Sequence, residues 1–510
     1  MKKNSLTTAV VAGIAGVAGF AGLANAVHLN PDGIGQVLLY PYYTVNNGQQ
    51  TLLSVVNTTN VAKAVKVRFL EGYNSREVLD FNLFLSPYDV WTATVFALRD
   101  DNRPSDAAGI LTRDRSCTAP LFSEDGTNTT GGVPFVTFRE FAYLTPSDGG
   151  PSTIDRTREG HFEIISMADL SGTLADAVKH SSSGVPANCG AVRSLQGNET
   201  GINTPTSGLF GSAAVINGAQ GTFYSYNADA LERFTFQSLF TATGSIFPNL
   251  AFVNDGTGPI LTNQATANVF TGTGVTTSTY PGADPRSDQV DAVTAIFAAN
   301  NIYNEYQTST LLGAGSDWVV TFPTKAFYVD RLYIGGGATA AIPPFTRIYN
   351  GAASAVPQFS CVAVGLAIYD QEERTTTGQL PGFSPPPPGA PPSSLCRETN
   401  VISFLDVINV APTQSGVLGS RLVTNVRPVV GAAGWLRLDL NPLAEPHVML
   451  AASNGNVFRG LPVTGFYATN LVNNNATVIN GVSTLSNYSG VFNHRRSRDC
   501  RNGTAQFACS

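Results

Sequence analysis

"NSREVLDFNLFLSPYDVWTATV" (Asn74–Val95) alternates polar and apolar residues, pauses at Ser86-Pro87-Tyr88-Asp89, and alternates again. Successive side chains of a strand point to opposite faces, so a period of two marks a strand with one face toward a core. Phe81, Leu83 and Leu85 form one inward stripe against Asp80 and Asn82, and Trp91, Ala93 and Val95 form the next against Thr92 and Thr94. Pro87 cannot donate to a ladder, so the stretch reads as two strands joined by a corner. Just upstream, Val65, Val67 and Phe69 share one face and Lys66 and Arg68 the other, which predicts a half-buried strand. "NTTN" (Asn57–Asn60) is a turn before it, with "TLLSVV" (Thr51–Val56) as the expected hairpin partner.

The same grammar recurs along the chain. "HFEIISM" (His161–Met167), "GTFYSY" (Gly221–Tyr226), "DWVVTF" (Asp317–Phe322), "AFYVDRLYI" (Ala326–Ile334) and "WLRLDL" (Trp435–Leu440) read as strands. "CVAVGLAIY" (Cys361–Tyr369) is apolar on both faces, as a strand covered on both sides would be. "DQVDAVTAIFAANNIYNEY" (Asp288–Tyr306) sets Val290, Val293, Ile296 and Phe297 on one side of a helix, and "ADALERF" (Ala228–Phe234) is a short second helix. The expected fold is mainly β: two β-sandwich domains, Ig-like or Greek-key, with long loops and one or two short helices. The first sandwich is expected over 27–100, open to recruiting later strands. The larger β-rich domain takes 101–510, with a Gly/Thr/Asn-rich loop at 254–285, a Pro-rich loop at 380–395 and a disulfide-closed C-terminal tail.

The first residues carry an export address. Lys2 and Lys3 precede an apolar stretch that ends in Ala24-Asn25-Ala26, the small-x-small pattern of a signal-peptide cleavage site, so 1–26 is expected to be removed. No later stretch has the ~18 continuous apolar residues of a spanning helix, and no integral membrane segment is expected after cleavage. Loss of Lys2 and Lys3 leaves 28 basic against 36 acidic residues. So acidic a chain, without clustered cations, is unsuited to neutralising phosphates, which argues against a nucleic-acid partner. Six cysteines in an exported chain read as disulfides. Fifteen pairings exist in principle, and neighbour pairing is the simplest: Cys117–Cys189, Cys361–Cys396 and Cys500–Cys509.

Signatures of catalysis are sparse. No G-x-S-x-G elbow, H-E-x-x-H pair or Walker loop occurs, and none of the five histidines stands two to four residues from another. Glu159 and Glu163 flank "GHF", and Asp370, Glu372 and Glu373 follow a strand; paired carboxylates of this kind are the requirement for glycoside hydrolysis, but acids at strand ends are ordinarily solvated. No cofactor is expected. Calcium is the metal the residue types favour most, because Asp255, Asp284, Asp288 and Asp291 put short oxygen-bearing side chains on turns, although aspartates favour turns without metal too. The aromatic-dense "LLYPYYTV" (Leu38–Val45) could make a sugar platform, but Tyr42 and Tyr43 read more readily as core and rim of the first strand.

"GQQTLLSVVNTTNVAKAVKVRFLEGYNSREVLDFNLFLSPYDVWTATV" (Gly48–Val95) resembles the opening module of a family of proteobacterial secreted proteins labelled cell surface protein. "REGHFEIISM" (Arg158–Met167), "GVPANC" (Gly184–Cys189), "SDWVVTFPTK" (Ser316–Lys325) and "NYSGVFNHR" (Asn487–Arg495) are similar to it as well. The resemblance implies a Gram-negative envelope location and transfers no functional residue. The sequence therefore leads to an exported, non-enzymatic protein of the cell surface or extracellular space, structural or adhesive, with a protein or polysaccharide partner. A periplasmic or secreted ligand-binding protein and a carbohydrate-active hydrolase are the alternatives.

Overall fold

The computed structural model describes residues 26–98, 107–122, 129–130, 132–251, 266–271, 274–280, 288–350, 359–377, 393–405, 413–428, 431–479 and 482–503. Residues 1–25 of the expected signal peptide, the Pro-rich segment up to 392, and Cys509 lie outside them. Strands take 47% of the described residues and helices 11%, so the protein is mainly β.

Two large sheets draw on residues 28–232. The first has the order β1 (His28–Leu29), β15 (Asp229–Glu232), β2 (Val37–Thr44), β11 (Glu159–Leu170), β4 (Ala62–Glu71), β5 (Glu77–Leu85) and β8 (Cys117–Ala119), with β12 (Ile202–Asn203) on β11. The second runs β14 (Thr222–Asn227), β13 (Leu209–Asn217), β3 (Gln50–Asn57), β6 (Val90–Ala97), β7 (Ala108–Leu111), β10 (Val133–Thr137) and β9 (Thr129–Thr130). Their facing stripes meet in one core: Val65, Val67 and Phe69 from β4 and Phe81 and Leu83 from β5 pack with Trp91 and Val95 from β6 and Val215 from β13.

Two five-stranded sheets follow. One is β23 (Thr375–Thr377), β22 (Gly365–Asp370), β27 (Ala433–Asp439), β19 (Asn301–Gln307) and β32 (Arg495–Ser497). The other is β26 (Val423–Val426), β25 (Thr399–Phe404), β20 (Ala314–Thr321), β30 (Phe466–Ile479) and β31 (Val482–Asn493). Tyr306 stacks on Phe404 between them, with ring centroids 5.3 Å apart. The other face of β20, β25 and β30 supplies Val319, Val401, Phe466 and Ala468 to the core of the first sheet pair. Short ladders complete the set: β16 (Thr266–Thr271) with β17 (Gly274–Thr279), β18 (Ala298–Ala299) with β29 (Leu461–Pro462), β21 (Val362–Ala363) with β24 (Ser394–Leu395), and β28 (Asn456–Arg459) with β33 (Asp499–Asn502).

The corner at Ser86–Asp89 carries the chain from the first sheet to the second, so the two strands of the opening stretch lie in opposite layers. The turn at Asn57–Asn60 does the same, which corrects the expected hairpin: β3 pairs with β6 and β13, while β4 pairs with β5 and β11. The physical reason is that both β3 and β4 have an apolar stripe, and facing sheets bury both stripes at once. The half-buried reading of β4 is corrected too, because all ten of its residues are buried.

Five further expectations are revised. Helix Asp288–Phe297 ends where Ala298–Ala299 turn to pair as β18, and "NIYNEYQ" (Asn301–Gln307) continues as β19, with Ile302 and Tyr306 buried. "ADALERF" supplies β15, whose backbone completes the ladder of β2. Ala326–Ile334 forms two helical turns, the second capped by Asp330, whose side chain accepts from the Leu332 N–H. Described residues hold six short helices in place of one or two, and the expected loop at 254–285 contains the β16–β17 hairpin.

Candidate functional site

Charge separates the first two sheets completely. The strands of the second sheet read QTLLSVVN, VWTATVFA, AGIL, TT, VPFVT, LFGSAAVIN and TFYSYN, without one Asp, Glu, Lys, Arg or His. The first sheet carries Lys63, Lys66, Arg68 and Glu71 on β4, Glu77 and Asp80 on β5, and Glu159, Glu163 and Asp169 on β11.

The charged side of the first sheet is covered. Lys63 meets Asp169 at 2.8 Å and also donates to the Thr206 carbonyl. Lys66 meets Asp80 at 2.8 Å and donates to the Ser245 carbonyl. Arg68 pairs with Glu77 at 2.7 Å and with Glu163. Burial pushes the Glu77 carboxyl up to about 7 despite the opposing Arg68. Desolvating an ion costs several kcal/mol, and these pairs persist inside because each has a counter-ion and further hydrogen bonds.

The uncharged sheet keeps its outer side open. Register places its outward residues in rows across the strands. Asn227, Ser212, Ser54 and Thr92 form one row, with the Ser54 and Ser212 hydroxyls 3.3 Å apart. Ser225, Ala214, Leu52, Thr94 and Leu111 form the next, and Phe210, Val56 and Val90 a third. Phe210 is 41% exposed, Phe223 54% and Val90 49%. The sheet's curvature leaves a shallow trough of about 540 Å³ over Leu52, Ser54, Thr92, Thr94, Ser212 and Ala214. Among the described residues that line it, Arg113, just past β7, is the one that is charged. This face can make apolar contact and neutral hydrogen bonds, and it offers no acid, base or nucleophile beyond hydroxyls.

A second concavity of about 730 Å³ opens at the mouth between the sheets. Leu79, Phe81, Phe122, Phe135, Phe141 and Ile246 line it, with Glu77, Asp80 and Arg139. Phe141 is 68% exposed there.

The residues singled out from sequence are dispersed. Asp255 and Asp284 lie outside the described residues, as does the side chain of Asp288. Asp291 is buried and accepts from the Tyr328 hydroxyl at 2.6 Å. Among the described residues no three His, Cys, Asp or Glu side chains gather as a metal cluster. Glu159 is buried and accepts from Tyr42, Asn46, Ser420 and the Arg421 N–H; burial raises its carboxyl above the usual range. Glu163 pairs with Arg68, and Asp370 with Arg374. Tyr42 and Tyr43 are core residues with no exposed surface, which settles their role against a sugar platform. Cys117–Cys189 and Cys361–Cys396 are bonded as expected. Cys500 is disulfide-bonded, and its expected partner Cys509 lies outside the described residues.

Sequence reading passed over the open face because its parts are scattered from Gln50 to Asn227. The available signal was the absence of charge from "TLLSVV", "VWTATVFA" and "GTFYSY" beside the charged "AKAVKVRFLE" (Ala62–Glu71). No family model matches the chain, and no curated protein or solved structure matches it.

Proposed function

We propose that this is an exported, non-enzymatic protein of the cell surface or extracellular space, with a structural or adhesive role carried by its β faces. Its two pairs of packed sheets are read as two sandwich-like units. The observation that carries this reading is the placement of charge: ion pairs are buried on one sheet, and an uncharged face is left open on the other. A solvated face ordinarily carries charged residues, whereas the centre of a binding surface is depleted of them. Paired cysteines and the small-x-small pattern at Ala24–Ala26 support export, and the resemblance to proteobacterial secreted proteins points the same way. The partner is a protein or polysaccharide, and no cofactor is needed.

The test is brief protease treatment of intact expressing cells, with released peptides identified by mass spectrometry beside a lysed control. Peptides from intact cells are expected. Release only after lysis would place the chain in the periplasm and remove the adhesive role. The second reading, a ligand-binding protein, is favoured in that case by the apolar concavity at the mouth between the sheets.

A further inference from the structure

We propose that the open face of the second sheet is where two copies of this chain meet, sheet on sheet about a two-fold axis. The inference rests on the reading of that face as a binding surface, and it names the occupant.

Charge is the first argument. The chain carries 36 acidic and 30 basic residues, so two copies approach with net repulsion. A two-fold contact sets each patch against itself, and any charge near the axis confronts its own copy. The strands of the second sheet are free of charge and Arg113 stands at the rim of the trough, so the centre of this face evades that penalty. A charged partner, by contrast, would find no counter-ion across β14, β13, β3 and β6.

Hydrogen bonding is the second argument. The row Ser212–Ser54–Thr92 is made of hydroxyls, which both donate and accept. A row of hydroxyls can therefore satisfy an identical row, whereas carboxylates or ammonium groups cannot satisfy themselves. Apolar rows lie on either side: Phe210, Val56 and Val90 on one, Ala214 and Leu52 on the other.

Size is the third. Five strands from β14 to β7, spaced about 4.8 Å apart, span roughly 24 Å, and the outward residues of each run about 20 Å along the strand. The projected area is on the order of 500 Å² on each copy, so a pair buries about 1,000 Å², at the lower bound for a specific interface.

The test is the mass of the mature chain by sedimentation equilibrium from about 1 to about 100 µM. Thr92→Lys and Ser225→Lys put a cation on the face at exposed positions, and Ser453→Lys puts one on an exposed turn beside β17. Circular dichroism and melting temperature confirm that each variant folds. The wild type and Ser453→Lys are expected to be dimers, and each face variant to raise the dimer dissociation constant about tenfold or more. A wild type that is monomeric throughout, or face variants that dimerise like the wild type, would overturn the proposal. Cell retention of the face variants separates this from the function itself: a monomeric wild type whose face variants are shed from cells overturns self-pairing but leaves the binding role standing, with a different partner.

Discussion

At the scale of single residues, His161 marks how far the first sheet departs from a solvated surface. It is fully buried on β11 opposite Leu70, and neither ring nitrogen meets a hydrogen-bond partner. Burial, helped by the nearby Arg68 guanidinium, pulls its pKa down to about 3. The imidazole is therefore neutral in the folded chain and charges freely in the unfolded one. A depressed pKa contributes stability that is fully present above the unfolded value of about 6.5 and is lost as pH falls toward 3. His161→Phe should remove that share of the acid slope, raising stability relative to wild type by on the order of 4 kcal/mol near pH 3 and leaving it equal or higher at pH 7. Urea unfolding at several pH values checks this, and parallel curves for the two proteins below pH 6.5 would disprove it. Nothing in "GHF" announces a buried histidine, because its cover comes from residues distant in the chain. Tyr42 is a different case, since its place in a dense aromatic strand already favoured the core.

At the scale of elements, β4 is the instructive strand. Its period of two is plain in sequence, and Val65, Val67 and Phe69 do face the core between the sheets. The expectation for Lys66 and Arg68 failed because the outer face of β4 is also covered, by segments near Thr206 and Ser245 that no local pattern connects to it. Arg68 then holds Glu77 and Glu163 together inside the protein. Arg68→Met should cost about 3–5 kcal/mol, since it leaves two carboxylates without their cation, and Glu163→Gln in that background should recover part of the loss. Equilibrium denaturation of the single and double variants measures both. An Arg68→Met protein within about 0.5 kcal/mol of wild type would show that the pair contributes nothing net.

At the scale of the whole molecule, the two halves are joined by chemistry as much as by packing. Asp330 takes the Arg76 Nε–H at 2.6 Å and the Asn74 side-chain amide at 2.7 Å, across about half the chain. Glu159 accepts from Ser420 and from the Arg421 N–H. One apolar cluster contains Leu39, Ile165 and Met167 from the first sheet together with Ile302, Leu366 and Leu438 from the later strands. Calorimetry should therefore show one cooperative unfolding transition, and two well-separated transitions would refute the shared core. What the sequence determined by itself was local: strand periodicity, the corner at Ser86–Asp89 and two of the cysteine pairs. The first two depend on residues close together in the chain, and the cysteine pairs on joining neighbours in sequence order, the simplest of fifteen arrangements. What only the tertiary structure decided was which strands share a sheet, and so which side of each strand is covered. Pairing partners such as β3 and β13 stand more than 150 residues apart. Burial of Lys66 and exposure of Phe223 follow from that assembly, because solvent exclusion is a property of the neighbours a residue acquires and not of the residue alone.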